Sequence, residues 1–414
     1  MAFPRSCSLA IALLGAVAPA QSADHPQTLP NLVAAGDVTA DSAVLWARAE
    51  QRGPMLVVLA TRPDFRGPLR SQLRLVRDPT LPSKFEFDGL QPGHEHHYLV
   101  VAGLRGISRG SFRTLARPGR HAGVRFGVSG DSRGELAPFV SVRNAVHRDL
   151  DFFVELGDTI YADYPSPKLP LPQASTLAEF RIKHEEIVAE RLGLNVLAGL
   201  RSHTAWFGTI DDHEVTNDFA GGAHPSTDPR FAFTTESFVN ETQLYADGLR
   251  AFVEYHPLRD ERYGRTGDPR TEGKRRLYRQ RRCGDDAAFF VLDARSFRDV
   301  GLPPVQNPLD PQQVGAFLVG SFDPRRTMLG ATQIDELLDD LRRAQRSGVT
   351  WKFVMVPEPI QNLGVVAASD RFEGYAAERS RLLQTIDQEG IHNVVFIAAD
   401  LHGTLVNNLT YQTA

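Results

Sequence analysis

Between about residues 31 and 114, apolar positions fall in short bursts: Ser42-Ala-Val-Leu-Trp46, Met55-Leu-Val-Val-Leu59, Leu73-Arg-Leu-Val76, Lys84-Phe-Glu-Phe87 and His97-Tyr-Leu-Val-Val101. Turn residues separate them, and several short strands at this spacing predict a β-sandwich or barrel. The grammar changes after the basic joint Ala116-Arg-Pro-Gly-Arg-His121. Apolar runs then alternate with stretches of helical period, the pattern of strands buried between helix layers. The predicted strands are 124–128, 152–156, 205–210, 287–292, 353–356 and 394–398, and the predicted helices are 136–148, 177–200, 236–252, 330–345 and 375–388. The Arg-rich stretch 259–286 reads as a solvated, charged hairpin.

The piece Leu90-Gln-Pro-Gly-His-Glu-His-His-Tyr98 resembles the tyrosine-corner turn of fibronectin type III domains, with Trp46 as a core aromatic. That resemblance implies that the Tyr98 hydroxyl bonds back to upstream backbone. His94, His96 and His97 in the same turn lack carboxylate or cysteine partners, so they read as solvent-facing residues. The fold class is therefore α/β: an N-terminal all-β sandwich over 28–116, followed by a second α/β unit over 122–414.

At the start of the chain, Arg5 precedes the apolar run Leu9-Ala-Ile-Ala-Leu-Leu-Gly-Ala-Val17 and an A-x-A site at Ala18-Pro-Ala20. Residues 1–23 are thus expected to be a signal peptide, which places the mature protein in the periplasm or outside the cell. No later segment approaches about twenty apolar residues, so no membrane span is expected. Loss of Cys7 with the signal leaves Cys283 alone, without a disulfide partner. A net charge of −4 supplies no broad positive field, which argues against a nucleic-acid-binding surface. A monomer is the expected state.

Four polar clusters each follow a buried-strand pattern: Ser129-Gly-Asp131-Ser-Arg133, Gly157-Asp158-Thr-Ile-Tyr161, Asp211-Asp212-His213-Glu214 with Asn217 and Asp218 beyond it, and Asp400-Leu-His402. In open α/β sheets, sites form outside the carboxyl ends of strands, so these segments should meet in one crevice. Gathered carboxylates repel unless cations neutralise them. Oxygen-rich ligands suit hard cations, and a pair about 3.5–4 Å apart generates hydroxide at neutral pH for in-line phosphoryl displacement.

The order G-D-x-x, G-D-x-x-Y, acidic-acidic-His-acidic, D-x-H resembles the calcineurin-like metallophosphoesterases. Within them it is most similar to the PhoD-like alkaline phosphatases, over essentially the whole mature chain. Supporting text includes Gly36-Asp-Val-Thr-Ala-Asp-Ser-Ala-Val-Leu-Trp46, Phe290-Val-Leu-Asp-Ala-Arg-Ser-Phe-Arg298, Leu329-Gly-Ala-Thr-Gln333 and Asn393-Val-Val-Phe-Ile-Ala-Ala-Asp-Leu-His402. The resemblance implies an α/β/β/α catalytic sandwich holding ferric iron, Fe(3+), with calcium, Ca(2+); Mn(2+), Mg(2+) and Zn(2+) are the alternatives. Asp158 would bridge the ions, Tyr161 would bind iron as a phenolate, and Asp212 would bind a second ion with Asn217 or Asp218 completing its shell. Asp400 and His402 would close the site. His213 would steady the transition state or protonate the leaving group, Arg133 would clamp a phosphate oxygen, and Arg295 is a further catalytic candidate. Where that family carries a cysteine ligand this chain has Asp131, the expected substitute, and the closing motif begins with Ala399 in place of Gly. The signal has no twin arginine, and the chain ends at Ala414 where relatives continue, so a truncated C-terminus is expected.

The expected activity is hydrolysis of phosphomonoesters or phosphodiesters by metal-bound hydroxide, in the service of phosphate scavenging. The alternatives are a phospholipase-D-like phosphodiesterase acting on lipid head groups and a catalytically dead protein that binds carbohydrate or surface protein.

Overall fold

In the computed structural model, which describes residues 32–103, 106–366 and 368–411, the chain forms fourteen strands and six α-helices among those residues. The expected signal peptide lies outside the described residues. The strands before the joint are β1 (Val33–Gly36), β2 (Ser42–Ala47), β3 (Gly53–Ala60), β4 (Arg70–Val76), β5 (Ser83–Asp88), β6 (Glu95–Ala102) and β7 (Gly106–Arg113). After it come β8 (Phe126–Ser129), β9 (Phe152–Leu156), β10 (Ala205–Thr209), β11 (Arg279–Cys283), β12 (Ala287–Val291), β13 (Trp351–Val356) and β14 (Val394–Ala398). The helices are α1 (Leu177–Ile187), α2 (Val196–His203), α3 (Gln243–Tyr255), α4 (Pro311–Ser321), α5 (Ala331–Arg346) and α6 (Ala376–Gln388).

Three sheets follow, in the orders β5-β2-β1-β10-β9-β8, β11-β12-β13-β14 and β4-β3-β6-β7. The first is shared. Ala35 pairs in parallel with Ala205, and Gly36 with Trp206, so the first sandwich continues into the second unit through one sheet. Half of that sheet packs on β3 and β6 through Leu45, Phe85, Phe87, Met55, Val57 and Val100. The other half faces the second sheet, where the Phe152 and Phe289 rings stack 4.3 Å apart. Helices α1 to α3 cover the outer face of the first sheet through Phe180, Leu200 and Tyr255, and α5 and α6 cover the second through Leu337, Leu341 and Leu382. This is the α/β/β/α order expected. It explains why β9, β10 and β12 are buried along their whole length: both faces are covered, and each buried Phe contributes about 1.5–3 kcal/mol.

Several elements differ from expectation. The region 136–148 forms only 3₁₀ turns, with Pro138 removing a donor inside it. The stretch 177–200 breaks into α1 and α2, because Gly193 turns the chain at φ 73° and Asn195 caps α2 by accepting from the Ala198 N–H at 3.2 Å. Strands β1 and β7 and helix α4 were not anticipated. The charged hairpin is present as β11 and β12 but is not solvated: Arg279 and Arg281 turn inward onto buried Asp37, whose carboxyl falls to about 2 as these charges outweigh burial. The Tyr98 hydroxyl donates to the Ser202 carbonyl at 3.0 Å, tying the sandwich to the end of α2 instead of to upstream backbone. His96 is buried and stacks on Phe112, whereas His94 is exposed.

Candidate metal centre

The first and second sheets aim the carboxyl ends of their parallel strands the same way. β8, β9 and β10 are mutually parallel, as are β12, β13 and β14. The loops leaving these strands carry Asp131, Asp158, Asp211 and Asp212 on one side, and Arg295, Glu358, Asp400 and His402 on the other. The glycine in each Gly-Asp pair is required by close approach. A Cβ at Gly130 would lie 2.5 Å from the Ala399 Cβ, and one at Gly157, where φ is 78°, would lie 2.4 Å from Asp211. Asp131, Arg133, Asp158, Asp218, Asp400 and His402 all have φ between 45° and 61°. Left-handed backbone at residues with side chains is sparse and clusters at functional sites, where surrounding structure enforces it.

Glu214 fixes two of these loops. Its buried carboxylate accepts from the N–H groups of Asp158 at 2.9 Å, Thr159 at 2.7 Å and Asp211 at 2.7 Å, while burial pushes its carboxyl up to about 8. The His213 N–H donates to Asp212 Oδ1 at 2.8 Å and to Asp158 Oδ1 at 3.2 Å, and the Asp218 N–H donates to Asp212 Oδ2 at 2.6 Å. On the neighbouring side His402 Nε2 lies 3.2 Å from Asp131 Oδ1 and 3.4 Å from the Tyr161 hydroxyl. The Asp400 N–H reaches Asp131 Oδ2 at 3.2 Å. The first and last motifs therefore meet directly across 269 residues of sequence.

Burial, with Asp212, Asp211, Glu214 and Asp131 alongside, holds the Asp158 carboxyl well above the usual range. Burial and the charges of Asp158 and Asp131 likewise push the Tyr161 phenol up. Such a donor set is stable in the ionised form only beside cations. The residues present fit that requirement. Ligand atoms of Asp158, Asp212 and His213 lie within 4.8 Å of one another, and so do those of Asp212, Asp218 and Asp370. Asp212 belongs to both groups. Asp218, lifted to about 6 by burial and by Asp370 and Asp212, enters the second group. Asn217 is exposed, and its N–H donates to Asp163 Oδ2 at 2.7 Å.

His213 Nδ1 lies 2.6 Å from Asp163 Oδ1, and its ring stacks on Tyr161 with centroids 4.0 Å apart. Arg133 sits over the rings of Tyr161 and Tyr164, its guanidinium carbon 4.8 Å from each centroid. Arg295 is placed differently from a phosphate clamp. It is fully buried, with Nε donating to Asp211 Oδ1 at 2.6 Å, Nη1 to Asp370 Oδ1 at 3.0 Å, and Nη2 paired with Glu358 and, at 2.8 Å, with Asp370 Oδ2. It is a counter-ion beneath the acidic groups and is not presented to a substrate.

Sequence reading missed Asp163, Asp370 and Glu358. Glu358 follows β13 directly, so the strand-end rule that found the other clusters would have found it. Asp163 lies two residues beyond Tyr161 in the same loop, and Asp370 sits in a long connection with no local signal. A cleft of about 1080 Å³, lined mostly by β14, α6 and residues 399–411, includes Gly130, Asp131 and His402 in its wall.

Residues 126–414 match the PhoD-like phosphatase family, and residues 16–116 match the N-terminal domain of PhoD-like phosphatases. The alkaline phosphatase D of Bacillus subtilis (strain 168) is 27% identical over 93% of the chain; the chain spans 66% of that relative's length. The solved structure of PhoD superposes with a TM-score of 0.71 at 27% identity, covering 93% of this chain and 73% of that one. A purple acid phosphatase from yellow lupin seeds superposes at 0.51 with 12% identity, over 88% of this chain and 57% of that one, a likeness of fold.

Proposed function

The chain belongs to the PhoD-like phosphatase family, and from that premise we propose that it is an exported, metal-dependent hydrolase of phosphomonoesters or phosphodiesters that serves phosphate scavenging. The observation that carries this reading is the meeting of carboxylates from the ends of both catalytic sheets around Asp212, with Tyr161 and His402 adjacent. Asp158, Asp212, Asp218 and Asp370 would hold cations on one side, and Asp131, Tyr161, Asp400 and His402 on the other. Bound cations neutralise the carboxylates, polarise the phosphoryl group and acidify a water.

The protein groups do the rest. Arg133 faces the site over Tyr161 and directs its guanidinium to phosphate oxygens, which it binds with charge-assisted hydrogen bonds. Asp163 fixes Nδ1 of His213, which leaves Nε2 to donate a proton to the leaving oxygen. Glu214 keeps the two central loops in register by accepting their N–H groups.

The test is hydrolysis of p-nitrophenyl phosphate and bis-p-nitrophenyl phosphate by natively purified protein before and after long dialysis against EDTA. Turnover should be lost on chelation and return with added metal; undiminished activity after dialysis overturns the reading. Ferric iron with calcium is the proposed metal content. Iron on the Tyr161 phenolate should colour the protein through a charge-transfer band that Tyr161→Phe removes, whereas a colourless, active wild type containing calcium alone rejects iron.

A further inference from the structure

The loop that carries Asp131 continues into an ion pair whose acidic member, Glu135, the hydrolytic reading does not use. Glu135 Oε1 accepts from Arg133 Nε at 2.8 Å and also from Nη2. The same guanidinium lies over the rings of Tyr161 and Tyr164, and its backbone is left-handed, at φ 45°. Among the described residues Nη1 makes no hydrogen bond to protein, so this is the edge of the guanidinium open to an anion. Arg191 Nη1 holds the Glu135 carbonyl at 2.7 Å and fixes the backbone from which the carboxylate extends. Lys183, buried with its ammonium on the Tyr164 carbonyl, also feels the Glu135 charge. The Glu135 carboxylate thus pairs with Arg133 at the rim of the metal centre.

We propose that Glu135 is a specificity-determining residue: by holding Arg133 in a neutral pair beside the centre, it restrains the site's preference for doubly charged phosphomonoesters over singly charged phosphodiesters. The proposal rests on the hydrolase reading above. A phosphomonoester at alkaline pH carries one more negative charge than a diester. A rim charge therefore acts on the two substrates unequally, in proportion to their own charges. Removing the Glu135 charge leaves the Arg133 guanidinium without its carboxylate partner, which strengthens attraction for the dianion more than for the monoanion. At separations of several ångströms in a half-exposed site, the difference amounts to roughly three- to tenfold, and salt screens it. Glu135 touches no ligand side chain, so its role is to position and balance Arg133.

The experiment is kcat/KM for p-nitrophenyl phosphate and bis-p-nitrophenyl phosphate at one alkaline pH and low salt, in wild type, Glu135→Gln and Glu135→Asp. Glu135→Gln should raise the monoester-to-diester ratio by roughly three- to tenfold, chiefly through KM, tighten inhibition by inorganic phosphate, and lose the change near 1 M salt. Glu135→Asp keeps the charge and should stay near the wild-type ratio. A wild type active on either ester together with an unchanged ratio in Glu135→Gln overturns the proposal. So does an equal shift in Glu135→Asp, which would show that shape, not charge, is responsible. A wild type with no metal-dependent turnover of either ester overturns the hydrolase reading itself.

Discussion

Asp158→Asn is expected to abolish turnover and strip metal from the protein while unfolding stays cooperative. Asp158 is 2% exposed at the end of β9, with φ 50°. Asn tolerates that backbone, keeps the side-chain shape and can still accept from the His213 N–H. What changes is one negative charge at the point where Asp131, Asp211, Asp212 and Glu214 already repel it. Two opposite outcomes follow for stability. With metal present, the variant should melt below wild type, because a ligand that binds only the folded state is held more weakly. In excess chelator the order should reverse, because a buried like-charge repulsion has been removed. Loss of several kcal/mol of charge stabilisation in the transition state corresponds to about a thousandfold or more in kcat. Turnover, elemental analysis and thermal unfolding with and without EDTA read these effects together. A variant that retains wild-type turnover sinks the role assigned to Asp158.

The sequence carried this site more fully than it carried the frame around it, for a physical reason. The candidate ligand residues follow buried strands, and buried strands between helix layers are long apolar runs visible without tertiary information, as in Phe152-Phe-Val-Glu-Leu156. Gly130 and Gly157 were legible as motif letters, but the demand they meet, close approach to Ala399 and Asp211, is a tertiary fact. The frame was harder. β1 is only four residues long and owes its place to pairing with β2 and with β10, some 170 positions away along the chain. Helix α4 reads as an apolar stretch with Pro311 at its start, and it becomes recognisable as a helix only through the Asp310 cap. Asp370 shows the limit most clearly. No strand pattern precedes it, and it reaches Asp212 because Arg295 and Arg298 draw its carboxylate inward. Conversely, Arg295 was legible as a charged residue after a core strand, but its partners decide whether such a residue touches substrate or supports the site. Those partners come from two separate connections, Asp211 and Asp212 after β10 and Glu358 and Asp370 after β13.

Arg295→Met should therefore act on stability far more than on substrate binding. The arginine is fully buried, and its guanidinium engages Asp211, Asp370 and Glu358, with Asp212 Oδ2 at 3.7 Å. Methionine fills similar volume but leaves those carboxylates unpaired in the interior, and breaking one side of a buried ionic network costs about 3–5 kcal/mol. For a unit of this size that is a fall in melting temperature on the order of 10 °C. The competing role, a clamp on substrate phosphate, makes a different demand: a charge-assisted hydrogen bond lost from the substrate weakens binding by roughly 10- to 150-fold. Kinetics measured well below the variant's transition separate the two. A brace predicts KM within about threefold of wild type, with a lower kcat as Asp211 and Asp212 relax from their positions. If KM instead rises a hundredfold while the melting temperature stays put, Arg295 reaches the substrate in a conformation different from the one described here, and the acidic groups around it must be balanced by the metal ions alone.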